Sequence, residues 1–281
     1  MTNEPPTNTG AQDEQRAQVK LALGAMLIPL FFVIGFATCI IGTYHKPDPN
    51  GIRMGVVGPA PLTAPLRAGL ERAAGSAFTI QPVATVAQAA HEVRQRELNA
   101  ALVPTPTPQR PATVIVASAN GRLVATAAET LGRTVTAAQG GQLVVRDVRP
   151  LIPGDEIGIG IFLFMIVCTI CGYLAATLLF TVAPTLAPSS RYPILAVTAV
   201  LVPAIAYLIG GIGWGTYSGS AGTILSFIGM GALYTFVIGL ITRLFQVLIG
   251  PFALFVSLAI FVFLNIPSLG ATYTAPVLPP F

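Results

Sequence analysis

Two cysteines three residues apart, Cys168-Thr-Ile-Cys171, have the spacing of a thiol–disulfide pair. Redox chemistry needs a thiolate, and a thiolate needs a polar or cationic neighbour. Here the pair lies inside a long apolar run with no charged residue beside it. On a helix the two sulfurs share one face, where cysteine behaves as a small hydrophobe. The structural reading is therefore preferred for Cys168 and Cys171, and Cys39 is read the same way.

The remaining chemistry-bearing residue types are similarly isolated. His45 and His91 are the only histidines, and no acidic cluster accompanies either. A structural or catalytic zinc needs about three or four convergent ligands, so no metal site, catalytic residue or cofactor is assigned. GVVGPA, residues 55–60, follows an apolar strand-like run and invites comparison with a phosphate-binding loop. It lacks both G-x-x-x-x-G-K-[ST] and G-x-G-x-x-G; a tight turn is the preferred reading, and no ATP-binding motif occurs elsewhere. Glu92, Arg94, Arg96 and Glu97 read as the solvated face of a helix. No nucleophile–base pair stands out, so the chain is not expected to be an enzyme.

The elements that carry these residues divide the chain sharply. Hydrophobic residues are 53% of the 281, charged residues only 9%, and the mean hydropathy is +0.74, against roughly 25% charged in a soluble domain. Seventeen of the 26 Asp, Glu, Lys and Arg residues lie between His45 and Pro153. The net charge of +4 is too dilute to suggest a nucleic-acid partner.

A membrane-spanning helix needs about 20 mostly apolar residues. Five windows qualify: Leu21–Tyr44, Ile157–Val182, Tyr192–Gly213, Gly222–Thr242 and Val247–Leu264, none containing Asp, Glu, Lys, Arg or His. The first exceeds the roughly 7–15 residues of a signal-peptide core and is read as a retained span. The expected fold is thus a polytopic α-helical membrane protein with a small α/β domain between spans 1 and 2. Its parts are a cytoplasmic tail (1–20), a first span (21–44), an extracytoplasmic α/β domain (45–153), four further spans (157–264) and an outer loop (265–281). With the N-terminus inside a plasma membrane, Arg16, Lys20, Arg191 and Arg243 fall on the cytoplasmic side, in keeping with the positive-inside rule.

Within residues 45–153, strands are expected at Ile52–Val57, Phe78–Val83, Ala100–Val103, Thr113–Ala117 and Gln142–Val148. Leu62, Leu66, Leu70 and Ala73 recur at helical spacing. A second helix carries Val86, Ala89, Ala90 and Val93 on its apolar face, with Thr85 and Gln88 in a capping-box pattern. For 121–138 the Asn120-Gly121 pair signals a hairpin while Leu123, Ala127 and Leu131 suit a helix; a helix capped near Asn120 is preferred. Alternating βαβ units imply a small α/β sheet, and PTPTPQRP (104–111) a surface loop. The domain holds no cysteine, so it must be held by its core.

Asp155 and Glu156 precede the second span, where capping of a helix N-terminus is the default role. Gly211, Gly215 and Gly219 suit either close helix packing or a flexible loop. The absence of ionisable residues from the windows lowers the prospect of proton-driven transport. By polarity alone, Thr223, Ser226 and Tyr234 are the residues that suit a substrate path.

One N-terminal span, an outer domain and a run of further spans resembles the ABC-2-type membrane proteins, in particular the phage-infection-protein-like branch and its actinobacterial relatives of unassigned function. KPDPNGIRMGVVGP (46–59), LNAALVP (98–104), VIVASANGR (114–122), VRPLIPGDEIGIGIFLF (148–164) and LNIPSLGATYTAPVLPPF (264–281) carry the likeness. In that family an N-I-P-S-x-G-x-T-Y run leads toward a last span. The resemblance therefore implies six spans in an intact member, with this chain ending inside an outer loop. It further implies a permease-like subunit of an export system, powered by a separate cytoplasmic ATPase, paired with a like or unlike membrane subunit and surrounded by membrane lipid. The alternative is a non-transporting membrane receptor or assembly factor that uses the outer domain to bind a partner.

Overall fold

The computed structural model describes residues 9–41, 49–105, 110–268 and 276. Short apolar runs produce the strands, and β1 (Ile52–Val57), β2 (Phe78–Val83), β3 (Ala100–Val103), β4 (Ala112–Val116) and β5 (Leu143–Asp147) form one sheet in the order β2-β1-β3-β4-β5. Three of the four pairings are parallel, with Met54 opposite both Ile80 and Ala100, and Val114 opposite Val145. The fourth, β3 with β4, is antiparallel. No crossover helix separates these two strands, so the chain turns back through the proline-rich stretch and departs there from strict βαβ alternation. Residues 106–109 of that stretch lie outside the described residues.

Three helices complete the domain: α2 (Ala60–Ala74), α3 (Val86–Gln95) and α4 (Arg122–Ala138), numbered after α1 below. Successive side chains of a strand point to opposite faces, and both faces are covered. On one, Met54, Leu102 and Val114 pack with Leu66 and Leu70 of α2 and with Ala128 and Leu131 of α4. On the other, Ile115 and Ala101 meet Ala89, Ala90 and Val93 of α3. Val86, expected on that face, is exposed, as is Ala73 of α2, whose neighbour Ala74 packs instead.

Thr85 caps α3 by accepting from the Gln88 amide at 3.1 Å. The Gln88 side chain does not reach back to complete the box but donates to Glu92 at 2.7 Å. The stretch 121–138 is a helix, as preferred, but Asn120 is not its cap: Gly121 occupies that place at φ +151, and Asn120 is engaged elsewhere. GVVGPA is a turn, in which the Gly58 amide is already committed to the Val83 carbonyl (3.0 Å) and α2 begins directly after Pro59.

Three helices are long and apolar enough to cross a membrane. They are α5 (Gly160–Val182), α6 (Pro188–Tyr207, extended by a π-helical turn to Gly213) and α7 (Ala221–Ile249). Most of their large apolar side chains face outward, as lipid rather than water would favour: Met230, Leu225 and Ile212 are each about 70% exposed. The other two windows hold shorter apolar helices, Pro29–Cys39 and Ala253–Leu264. The first belongs to α1, Thr9–Gly35 with a π turn to Ile41. This helix starts inside the stretch read as tail, because residues 11–20 are rich in good helix formers. The second is α8 (Ala253–Ser257), continued by a π segment to Leu264 and by α9 (Asn265–Ser268). Gly250 (φ +55) followed by Pro251 stops α7 beyond Thr242 and moves the start of the last helix from Val247 to Ala253.

Glycine sets the helix spacing. A Cβ on Gly172 would lie 2.8 Å from the Thr235 carbonyl oxygen, and one on Gly231 2.8 Å from the Phe164 ring. α5 and α7 therefore touch backbone to backbone, the close approach that small residues permit in lipid.

Candidate functional site: a cleft between the domain and the membrane helices

The chain passes from domain to bundle through residues 148–159, and two carboxylates fix this joint. Asp147, at the end of β5, accepts from the amides of Ser118 (3.3 Å) and Arg149 (3.0 Å) and from the Ser118 hydroxyl. Ser118 Oγ in turn accepts from the Leu151 amide at 3.1 Å. Asp155 accepts from the amides of Gly158, Ile159 and Gly160 at 3.0–3.1 Å. A carboxylate at this positive helix end is stabilised by the dipole and satisfies donors that have no helical partner. Asp155 thus has the capping role expected of it.

Above the joint, Asn120 ties two domain elements together. Its Nδ2 donates to the Val93 carbonyl at 2.9 Å, and its Oδ1 accepts from Arg96 Nε at 3.2 Å. Arg96 ends α3 in the left-handed region, φ +65, the only non-glycine residue there among the described residues. That conformation costs about 1 kcal/mol or more for a residue with a Cβ. Arg96 is exposed, in keeping with the solvated-face reading, and its hydrogen bond to Asn120 holds it on the domain side of the opening described below. Below the joint lie aromatic rings: Phe164 meets Phe227 at 4.1 Å between centroids, tilted by 30°, and Tyr217 sits 5.2 Å from Phe227. The Tyr217 hydroxyl donates to the Gly160 carbonyl at 2.9 Å. Burial, then the negative charge of Asp155, pushes the Tyr217 phenol above its ordinary value.

Between these layers is a cleft of about 490 Å³. Arg96, Asn120 and Arg122 line its domain side, Asp155 and Tyr217 its waist, and Ile161, Ile224 and Phe227 its membrane side. A second, almost wholly apolar groove of about 410 Å³ runs between α5 and α6 past Val167, Val202, Ile205, Ile209 and Trp214. Thr216 and Tyr217 line both, so the two spaces adjoin at these residues.

The residues singled out by polarity separate. Thr223 lines the cleft, its hydroxyl paired with Ser220 at 2.9 Å. Ser226 bonds its own helix at Gly222 and faces outward. Tyr234 locks the bundle: Asn265 donates to its hydroxyl, which shares a 3.0 Å hydrogen bond with Thr169, itself bonded to the Met165 carbonyl. Neither Ser226 nor Tyr234 is among the residues lining the cleft or the groove. Cys168 is buried and Cys171 half-buried on α5, both as free thiols. His91 is exposed on α3, and His45 lies outside the described residues. Among the described residues no group of three His, Cys, Asp or Glu is placed to hold a metal ion. Of the three glycines, Gly211 packs on the Tyr207 ring within its own helix end and Gly215 makes a left-handed turn (φ +68). A Cβ on Gly219 would meet Thr223 at 3.1 Å, so none of the three sits between two packed helices.

The cleft itself was missed from sequence. Its one available signal was Arg122, a cation in the first turn of a helix, where the dipole disfavours positive charge. Comparison with known protein families, with curated proteins and with solved structures finds no match to this chain, so function is argued from the site.

Proposed function

We propose that this chain is a permease-like membrane subunit of an export system driven by a separate ATPase, built on the ABC-2 plan. The observation that supports this reading most is the cleft between domain and bundle. It joins a water-facing domain to lipid-facing helices, which is where a path across a membrane subunit must open. Apart from Arg191 and Arg243, near the ends of α6 and α7, these helices carry no charged residue, which suits an uncharged path and leaves energy supply to a partner. In this reading the chain performs no bond chemistry of its own, and Thr223 and Tyr217 stand on the path as polar lining. The topology has five spans in this chain, the shorter helices of the first and last windows crossing with the other three. The N-terminus is cytoplasmic and residues 45–153 face outward at the plasma membrane. Arg191 and Arg243, which flank Phe180 at 5.4 and 4.3 Å at the far end of the bundle, then lie on the cytoplasmic side.

The test is purification of the protein from its native host in mild detergent. A stoichiometric P-loop ATPase whose hydrolysis rises several-fold with the subunit present is the expected result. Reproducible recovery without an ATPase would sink the exporter reading in favour of a receptor or assembly factor. Topology is checked separately with Gln95→Cys in a cysteine-free background. Labelling of intact cells by a membrane-impermeant thiol reagent is expected, and labelling only after lysis would reverse the orientation.

A further inference from the structure

We propose that the cleft and the neighbouring groove together form a binding site for one anionic phospholipid, with the phosphate under Arg96 and Arg122 and an acyl chain between α5 and α6. The inference concerns what the site holds, and it stands whether or not the chain transports anything.

The charge pattern selects an anion. Arg96 and Arg122 both line the domain side of the cleft, and the one ion pair among the described residues, Arg67 with Glu71, lies elsewhere. Arg96 uses Nε on Asn120, which leaves the terminal nitrogens of its planar fork to meet a phosphate in two parallel bonds. Arg122 stands against the dipole of α4, a placement that costs energy unless an anion sits beside it. The one carboxylate lining the cleft, Asp155, accepts from the amides of Gly158, Ile159 and Gly160 at the start of α5, and its charge is outnumbered by the two arginines. Glu156 and Asp147 line a shallower depression with Arg122, but neither carboxylate comes within 4.0 Å of either guanidinium.

The floor selects an amphiphile rather than a soluble anion. Ile161, Ile224 and Phe227 line the cleft's membrane side, and the groove beyond Tyr217 is apolar throughout its length on α5 and α6. A free phosphate would leave that surface empty, whereas a lipid fills both spaces. Volumes of about 490 and 410 Å³ lie in the range of small-molecule sites. Trp214, 73% exposed beside the groove, and Tyr207 at the cleft sit at one end of α6, where aromatic residues mark the membrane–water boundary. The phosphate of a lipid lies at that depth.

Trp214 is the single tryptophan of the chain, so it reports on the groove directly. The full-length protein is placed in mixed micelles, and quenching of its tryptophan emission by phosphatidylglycerol with brominated chains is compared with quenching by phosphatidylcholine with the same chains. The anionic lipid is expected to quench at a roughly 25-fold lower mole fraction, about fivefold from each arginine. A cation near a lipid surface contributes about a fivefold affinity factor. Arg96→Gln and Arg122→Gln should therefore each reduce the preference about fivefold, and together abolish it. Arg122→Lys, which keeps the charge, should retain most of it; both arginines are exposed, so the variants are expected to fold. Equal quenching by the two lipids, or a preference surviving in the double variant, would overturn the proposal. So would glycerol phosphate alone displacing the brominated lipid at comparable concentration, which would assign the cleft to a soluble anion.

Discussion

The two halves of the molecule solve the packing problem in opposite ways. In the α/β domain the interior is apolar and made of side chains: Ile52, Met54, Leu70, Val114 and Ile115 have no exposed surface, and the charges stand outside. In the bundle many large apolar residues, Met230 and Leu225 among them, face outward, while Thr169, Thr235, Thr242 and Ser257 are buried alongside Phe164, Leu195 and Ile238. The surrounding solvent explains the difference. Water drives apolar side chains inward, about 25 cal/mol for each Å². Lipid gives no such drive, and helices associate through close backbone contact and interhelical hydrogen bonds. Volume deleted from the domain core should therefore be costly, whereas in the bundle the cost lies in volume added.

The largest expected effect is in the domain. Ile115→Ala empties a fully buried position between β4 and α3 and should cost about 2–5 kcal/mol. Pulse proteolysis of the full chain in urea should show the domain's midpoint falling, with the detergent melt of the bundle unchanged. Next is Gly172→Val. Its Cβ meets the Thr235 carbonyl, which cannot rotate away, so α5 and α7 must part at a cost of about 1–3 kcal/mol. Here the bundle's melt should fall and the domain's urea midpoint stay in place. Gly55 in β1 sharpens the contrast, because a Cβ there meets the movable side chains of Val83 and Leu98 at 2.7 and 2.9 Å. If Gly172→Val were tolerated better than Gly55→Val, the opposition between the halves would fail.

The same difference decides what could be read from sequence. All five strands and the three domain helices were visible, because short apolar runs between turn residues mark the strands and helical spacing marks the helices. Errors were shifts of a residue or two, as with Ala74 for Ala73. The antiparallel β3–β4 pair was not visible, since a Pro-rich loop says nothing about strand direction. In the bundle, hydropathy located apolar windows but not helix ends, although Gly250-Pro251 could have placed the end of α7. The cleft was hidden because Arg96, Arg122 and Tyr217 are far apart in the chain and each reads alone as ordinary surface or interface. Only the sheet order and the joint at 148–159 bring them to one opening.

That joint supplies a smaller test. Asp155→Ala removes an acceptor for three amides at the start of α5 and should cost about 1–2 kcal/mol. Because the carboxylate belongs to the connection and not to either core, the domain's urea midpoint should stay fixed and the bundle melt should fall slightly. A drop in both would mean that the halves fold as one unit, and the comparison between them would need to be recast.

The smallest effect concerns Tyr217, whose phenol is raised above 10.0 by burial first and by Asp155 second. A raised value means that the folded protein holds the phenolic proton more tightly than the unfolded chain does. The associated stability is present below pH about 10 and is lost as pH climbs through the folded value. Tyr217→Phe forfeits the hydrogen bond to Gly160, about 1 kcal/mol at neutral pH, but has no phenol to ionise. Its deficit against the wild type should therefore shrink in melts above pH 10. Asp155→Asn removes only the second cause, so the Tyr217 titration, followed as the phenolate absorbance difference from Tyr217→Phe, should move down and remain above the ordinary value. If it does not move, Asp155 is turned wholly to the α5 amides and contributes no field in the cleft. The two arginines would then face a phosphate with no opposing charge.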